Sequence, residues 1–182
     1  MNILLIHQYA GNKGDRAVLN TTCRLLHDIN PDARIWVSTS SPELWNNEKS
    51  FYDSLNVSFI PSAWDYTRNS SLLSKVLNKF KKYTFTLLRE SYLVGLRKLP
   101  RLLLNQAFRQ CASSADVICS VGGHHFTTLL SRDLVSSINF DAAAACLYPA
   151  PKIALPQSFG AFEFHNARNK KFTTAILRQF KK

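Results

Sequence analysis

The chain has 182 residues, of which 46% are hydrophobic and 19% are charged. This length suits one well-cored domain, and the composition is that of an ordinary folded protein rather than of a disordered chain. The 23 Lys and Arg residues outnumber the 12 Asp and Glu residues, so the formal net charge is +11. This excess favours an anionic partner, such as a nucleic acid, a phosphorylated substrate or a membrane surface.

The positive charge is concentrated in the middle of the chain. Residues 67–109 contain ten basic side chains and one acid, Glu90. These charges interrupt the longest apolar stretch, so the sequence predicts no membrane-spanning helix. The first residues lack the basic region and the long apolar run of a signal peptide. The four cysteines have no CxxC or CxxH spacing, so we expect buried free thiols in a cytoplasmic protein.

Short apolar runs alternate with longer segments of helical periodicity, which is typical of an α/β domain. The predicted strands are residues 2–7, 33–38, 57–60, 116–121 and 152–156. The predicted helices are residues 15–29, 42–55, 70–111, 131–147 and 166–180. The strands are continuously apolar, as in a sheet that is covered on both faces. We therefore expect a mostly parallel sheet of about five or more strands, wound by right-handed crossovers.

Glycine, histidine and small polar residues follow three of these strands. The segments are HQYAGNKGD after the first strand, GGHHFTT after the fourth and QSFGAF after the fifth. The carboxyl ends of parallel strands lie at one edge of the sheet, where α/β proteins bind ligands. We therefore expect the three turns to contribute to one site.

The first of these turns contains Gly11, Gly14 and Asp15. Glycine permits a positive φ or the close approach of a ligand to the backbone. Asp15 is placed either as the N-cap of the following helix or as a functional carboxylate. The segment is not GxGxxG and lacks the Lys-Ser/Thr pair of a phosphate-binding loop, so nucleotide binding is not favoured.

The second turn leaves its strand through Gly122 and Gly123 and continues with two histidines. Adjacent histidine side chains diverge and make a poor metal pair without a third ligand, so no metal site is predicted. His124 is a candidate hydrogen-bonding or proton-carrying group, and an ordinary loop histidine is the alternative.

The third turn places Gln157 and Ser158 at the end of a strand, with Gly160 behind them. There is no GxSxG motif and no partner set for a nucleophilic serine. The turn therefore indicates hydrogen bonding to a substrate, or loop architecture, rather than acyl chemistry.

Segment 75–110 interleaves Lys and Arg with Phe, Tyr and Leu. One interpretation is a long surface helix, or a pair of helices broken before Pro100, with a solvated basic face. The functional interpretation is a cationic amphipathic face that rests on anionic lipid headgroups. Nucleic-acid binding has less support, because no RNA-binding motif accompanies the charge. The residues assigned to the membrane surface are Lys79, Lys81, Lys82, Arg89, Arg97, Lys98 and Arg101.

Together the three turns resemble the motifs of the polysaccharide pyruvyl transferase family. The motif N-x-G-D-x-A-[IVL] is matched by Asn12, Gly14, Asp15, Ala17 and Val18. An Asp-hydrophobic-Gly-Gly segment is matched by Asp116, Gly122 and Gly123. The motif Q-S-[hydrophobic]-G-P-F is matched by Gln157, Ser158, Gly160 and Phe162. Two positions depart from the pattern, since Ala161 replaces the usual Pro and Arg16 stands where an acid is common.

The resemblance implies a three-layer Rossmann-like domain, similar to the N-terminal half of a two-domain GT-B-like enzyme. It implies transfer of pyruvate from phosphoenolpyruvate, without a metal or cofactor, to a sugar of a cell-surface polysaccharide or its lipid-linked precursor. The product would be a ketal. Asp15 would be the base, and the acceptor site would comprise Asn12, Gly14, Gly122, Gly123, His124, Gln157, Ser158 and Gly160.

In that family a second domain supplies the basic residues and the histidine that hold phosphoenolpyruvate. Residues 1–182 correspond to the first domain, so we expect this chain to be the acceptor-side half, on the inner face of the membrane. Two other interpretations stay open. One is a truncated domain without catalysis, and the other is a GT-B glycosyltransferase-like protein that binds a nucleotide-sugar.

Overall fold

A computed structural model gives the architecture of the protein. It describes residues 1–8, 13–65, 81–96, 98–122, 140–156, 164 and 166–181.

Six strands of the described chain form one parallel sheet. They are β1 (Asn2–Gln8), β2 (Arg34–Thr39), β3 (Val57–Pro61), β4 (Val117–Ser120), β5 (Lys152–Ala154) and β6 (Phe180–Lys181). Their order is β3-β2-β1-β4-β5-β6, and each neighbouring pair is parallel. This is the strand order of a Rossmann fold. It confirms the predicted α/β class and the five predicted strands.

Both faces of the sheet are buried. Leu4 and Ile6 of β1 contribute to one core, whereas Ile3 and Leu5 contribute to the other. All four side chains are fully excluded from solvent, and each such burial contributes about 1.5–3 kcal/mol. Because successive side chains of a strand point to opposite faces, a strand covered on both sides needs consecutive apolar residues rather than alternation.

Helices form the two outer layers. Between β1 and β3 lie α1 (Lys13–Ile29), the 3₁₀ helix Pro42–Glu48 and α2 (Lys49–Ser54). The later helices are α3 (Lys81–Leu93), α4 (Lys98–Arg101), α5 (Gln106–Ser114), α6 (Phe140–Ala145) and α7 (Ala167–Leu177). The first group packs on the Ile3 and Leu5 face, and buried residues of α3, α5, α6 and α7 pack on the Leu4 and Ile6 face. The result is a three-layer domain.

The predicted helix 70–111 is interrupted within the described residues. Helix α3 ends in a Schellman motif, in which Gly95 has a φ of 81° and Leu96 donates its N–H to the Ser91 carbonyl at 2.8 Å. The chain therefore breaks before Pro100, as one of the two interpretations predicts. Pro100 then lies in the first turn of α4, where a missing N–H breaks no helical hydrogen bond. Residues 70–80 lie outside the described part of the chain.

The predicted helix 166–180 is wrong at its C-terminal end. Helix α7 starts after Asn166, whose side chain accepts the Arg168 N–H at 2.8 Å as an N-cap. It stops at Leu177, and Phe180–Lys181 then pairs with β5 as a sixth strand. A strand of two residues has no periodic pattern in the sequence, so the prediction extended the helix through it.

All four cysteines are buried and free, as predicted. Burial raises the pKa of the Cys23 thiol to about 12 and the pKa values of Cys111 and Cys119 to about 11. These three thiols stay protonated near neutral pH and are poor nucleophiles. Among the described residues, none of the helices is both long enough and apolar enough to cross a membrane.

Candidate functional site

We define the β1–β4 crevice as the region at the carboxyl ends of β4 and of the central strand β1. This strand pairs with β2 on one side and with β4 on the other. Ile6 lies in register with Ser120, and the N–H of Val121 donates to the Ile6 carbonyl at 3.2 Å. In open parallel sheets, ligands bind at the point where the order of the strands reverses in this way. A ligand is therefore expected near the carboxyl ends of β1 and β4.

The N-terminus of α1 forms one side of this crevice. The helix begins at Lys13, so Gly14 and the half-buried Asp15 are its second and third residues. The prediction of Asp15 as an N-cap is wrong, because the helix begins two residues earlier. An acid in the first turn interacts favourably with the positive end of the helix dipole. Asp15 is the acid in the first turn of α1.

Arg16, at the position where the family commonly has an acid, connects α1 to the 3₁₀ helix. Its Nη1 lies 2.5 Å from Glu48 Oε1, and its Nη2 donates to the Leu44 carbonyl at 3.3 Å. The guanidinium also lies 5.1 Å from the ring centroid of Trp45. These contacts hold the start of α1 against segment Pro42–Glu48, so Arg16 has a structural role beside Asp15.

Gly122 forms the other described side of the crevice. It is buried and has a φ of 70°, in the left-handed region. A residue with a side chain would be strained in this conformation by about 1 kcal/mol or more. The turn after β4 therefore requires glycine for its backbone path, which is consistent with the predicted exit from the strand.

Six of the predicted site residues lie outside the described part of the chain. They are Asn12, Gly123, His124, Gln157, Ser158 and Gly160. Their positions in the site stay predictions. Gly14, Asp15 and Gly122 are the predicted site residues within the described part of the chain. Gly14 and Asp15 lie in the first turn of α1, and Gly122 lies two residues after the end of β4.

Asp116, which matches the second motif of the family, lies directly before β4, at the amino ends of the strands rather than at their carboxyl ends. Its Oδ2 accepts the Asn2 N–H at 2.7 Å, and its own N–H donates to the Asn2 carbonyl at 2.8 Å. These bonds fix the beginning of β4 against the beginning of β1. We therefore assign Asp116 to strand register rather than to ligand contact.

A buried carboxylate that the sequence analysis did not single out joins the carboxyl ends of β2 and β3. Asp141 Oδ2 accepts the Ser38 hydroxyl at 2.6 Å, and Oδ1 accepts the Ala63 N–H at 2.8 Å. The pKa of Asp141 is raised to about 6, chiefly by burial and to a smaller extent by the nearby Asp65, while the two hydrogen bonds oppose the rise. The signal in the sequence is a single acid in the apolar run FDAAAACLY.

Two of the cations assigned to a membrane surface are engaged within the fold. Arg89 contacts Asn169 at 2.5 Å and Glu90 at 2.7 Å, and its side chain is 12% exposed. Arg101 donates to the Leu147 carbonyl and lies 4.8 Å from the ring centroid of Tyr148. Neither guanidinium is presented outward as the sequence analysis expected. Lys98 is exposed.

The other members of that set are only partly described. Lys81 and Lys82 begin α3, whereas Lys79 and Arg97 lie outside the described residues.

Within the described ranges, no three His, Cys, Asp or Glu side chains lie close enough together to hold a metal ion. His124, the residue considered for such a site, falls outside them.

Comparison with known proteins identifies one family. The family model described as polysaccharide pyruvyl transferase matches residues 12–182, which is nearly the whole chain. No curated protein and no solved structure matches the chain. The matched range includes the residues of all three motifs on which the resemblance rests, from Asn12 to Phe162.

Proposed function

Because this chain belongs to the polysaccharide pyruvyl transferase family, we propose that it transfers pyruvate from phosphoenolpyruvate to a sugar. The observation that carries the proposal is the family match over residues 12–182. The strand order supports it, because the order reverses between β1 and β4, and the matched residues Asp15 and Gly122 follow these two strands in the chain.

The reaction joins two hydroxyls of one sugar to the central carbon of the enolpyruvyl group. The first hydroxyl adds to that carbon while the methylene carbon takes a proton, and the second hydroxyl displaces phosphate to close the ketal. These steps need a base for the attacking hydroxyl and an acid for the methylene carbon. They also need cations for the carboxylate and phosphate of the donor.

Asp15 is our candidate for the base or hydroxyl-orienting group. It is a half-buried carboxylate in the first turn of α1, beside the point where the strand order reverses. In the proposal Asn12, His124, Gln157 and Ser158 line the acceptor pocket together with the glycines of the three turns. The donor-binding cations would come from a second domain of the family, so this chain would supply the acceptor side.

We further propose that the acceptor belongs to a cell-surface polysaccharide or its lipid-linked precursor. Such an acceptor would place the reaction on the cytoplasmic face of a membrane. The large positive charge of the chain is compatible with this location, because the inner leaflet is anionic.

The test replaces Asp15 by Asn in the protein expressed in its own cells, so that any further domain or partner is present. Phosphate release is measured with phosphoenolpyruvate and polysaccharide acceptor. We expect Asp15→Asn to lower kcat by about a hundredfold or more, as the loss of a general base would. The matched control is Asp28→Asn, at an exposed acid near the other end of α1, which should stay within about twofold of the wild-type rate.

The possible outcomes distinguish an error in the role of Asp15 from an error in the proposed pyruvyl transfer. An active wild-type protein with an equally active Asp15→Asn variant would remove Asp15 as the base and leave pyruvyl transfer standing. A wild-type protein that releases no phosphate but binds a nucleotide-sugar in a titration would instead favour the glycosyltransferase alternative. A protein that does neither would favour a non-catalytic domain.

A further inference from the structure

A basic groove lies between α3 and α7, on the outside of the domain. The two helices are held together by the Arg89–Asn169 contact, by Arg168 with Glu90 at 3.1 Å, and by Tyr92 against Phe172 at 5.5 Å between ring centroids. The groove between them encloses about 530 Å³. Its floor is partly apolar, since Leu93 and Ala175 line it. It is distinct from the β1–β4 crevice, because none of its lining residues lies in a turn after β1 or β4.

Three cations line this groove. Lys170 and Lys171 of α7 and Arg178, the C-cap residue of that helix, are exposed. Glu90 is the single acid in residues 81–115 and 164–182, and it pairs with Arg89 and Arg168. The groove therefore presents a positive field to solvent. Its cations lie outside the basic segment 75–110, whereas the α3 side of the groove belongs to that segment.

An apolar loop continues directly from the groove. Val94 and Leu96 follow Leu93 and are 68% and 60% exposed. The Schellman motif at the end of α3 holds this loop, because Gly95 donates to the Tyr92 carbonyl and Leu96 to the Ser91 carbonyl. The apolar residue at the position of Leu96 frequently packs back on its helix in this motif. Here it is directed into solvent, and the exposed Lys98 follows two residues later.

We propose that the α3–α7 groove and the Val94–Leu96 loop form a docking surface for an anionic lipid bilayer. The loop residues would enter the headgroup region, and the cations of α7 would contact lipid phosphates. Exposed apolar side chains flanked by Lys and Arg are the combination that peripheral membrane proteins use, because each class binds a different layer of the interface. Charge complementarity favours an anionic bilayer as the partner. A second copy of this chain is disfavoured, because two such basic surfaces would repel each other.

The experiment is flotation of the full chain with two kinds of vesicle. One is phosphatidylcholine alone, and the other is phosphatidylcholine mixed with phosphatidylglycerol. The wild-type chain should float with the anionic vesicles at low salt, stay in solution with the neutral ones, and lose binding as salt is added. A wild-type chain that does not float with anionic vesicles at low salt would overturn the proposal.

Two pairs of matched variants test the surface itself. Lys170→Glu with Lys171→Glu should weaken binding at least about tenfold, whereas Arg24→Glu with Lys49→Glu, on exposed cations of α1 and α2, makes the same charge change and should weaken it far less. Val94→Ser with Leu96→Ser should also weaken binding, and Leu25→Ser with Ile29→Ser on α1 is its control. All eight side chains are exposed, so the variants should fold.

Two results of the variants would contradict the inference. Equal weakening by the two charge-reversal pairs would mean that net charge, and not this surface, attracts the lipid. Loss of a chain–chain dimer in the Lys170 and Lys171 variant, with lipid binding unchanged, would assign the groove to a second copy. Neither result bears on pyruvyl transfer, which is measured separately.

Discussion

Asp141 illustrates how one carboxyl group can set the pH response of a fold. It is 6% exposed and accepts hydrogen bonds from the Ser38 hydroxyl and the Ala63 N–H. Its pKa is raised from 3.8 to about 6, chiefly because burial penalises the charged form. The folded protein therefore binds a proton at this site more tightly than the unfolded chain does, and the protonated form stabilises the fold.

The pH dependence of stability follows from this difference. Between about pH 4 and pH 6 the native state holds the proton of Asp141 and the unfolded chain releases it, so the free energy of unfolding falls as the pH rises. The full effect of this group is about 3 kcal/mol. In Asp141→Asn the amide oxygen can still accept the Ala63 N–H. We therefore expect this variant to lose the pH dependence and to be at least as stable as wild type at pH 7.5.

Denaturant unfolding at several pH values measures this directly. Asp28→Asn, at an exposed acid on α1, should keep the slope, whereas Asp141→Ala should be less stable at every pH because the Ala63 N–H and Ser38 hydroxyl lose their partner. An Asp141→Asn variant with an unchanged slope would show that another group carries the pH dependence.

At the scale of one residue, the sequence predicted what depends on local pattern and missed what depends on distant contacts. The glycine at position 122 was predicted from the turn that it makes, and its φ of 70° gives the physical reason. The role of Asp141 depends on Ser38 and Ala63, which are 103 and 78 residues away in the chain. Neither contact can be predicted from the sequence around position 141.

The break between α3 and α4 is set by Gly95. This residue has a φ of 81° and holds the Schellman motif, and a Cβ added there would have no atom within 4 Å. The cost of Gly95→Ala is therefore conformational and not steric. We expect a loss of about 1 kcal/mol in the free energy of unfolding, measured by denaturant titration.

Gly95→Asn is the matched variant, because Asn tolerates the left-handed region better than Ala. It should retain more stability than Gly95→Ala. If both variants were as stable as wild type, Gly95 would not be required for the break between α3 and α4.

The sequence predicts the five strands that have an apolar run, and it misses the two-residue strand that has none. The apolar runs of β1 to β4 and the amphipathic α1 were found because burial on one or two faces repeats along the sequence. The two-residue strand β6 was missed, since its place is set by pairing with Lys152 and Ile153. The sequence predicts the start of α1 two residues late, because Gly14 is a residue typical of a turn.

At the scale of the whole molecule, the central feature is the β1–β4 crevice. The alternation of strands and helices predicted a parallel sheet, and the order β3-β2-β1-β4-β5-β6 followed only from the structure. Asp15 follows β1 and Gly122 follows β4, so that order places both residues after neighbouring strands, although 107 residues separate them in the chain. The sequence could predict a shared edge, but strand order decides which turns are neighbours at that edge.

The most direct test of pyruvyl transfer follows an isotope label from donor to acceptor. Labelled phosphoenolpyruvate is incubated with the protein from its own cells and with polysaccharide and lipid-linked sugars from the same source. We predict that the label appears in the acceptor as a ketal and that phosphate is released in equal amount. A label that stays in phosphoenolpyruvate, while the protein is folded and binds the acceptor, would contradict the proposed function.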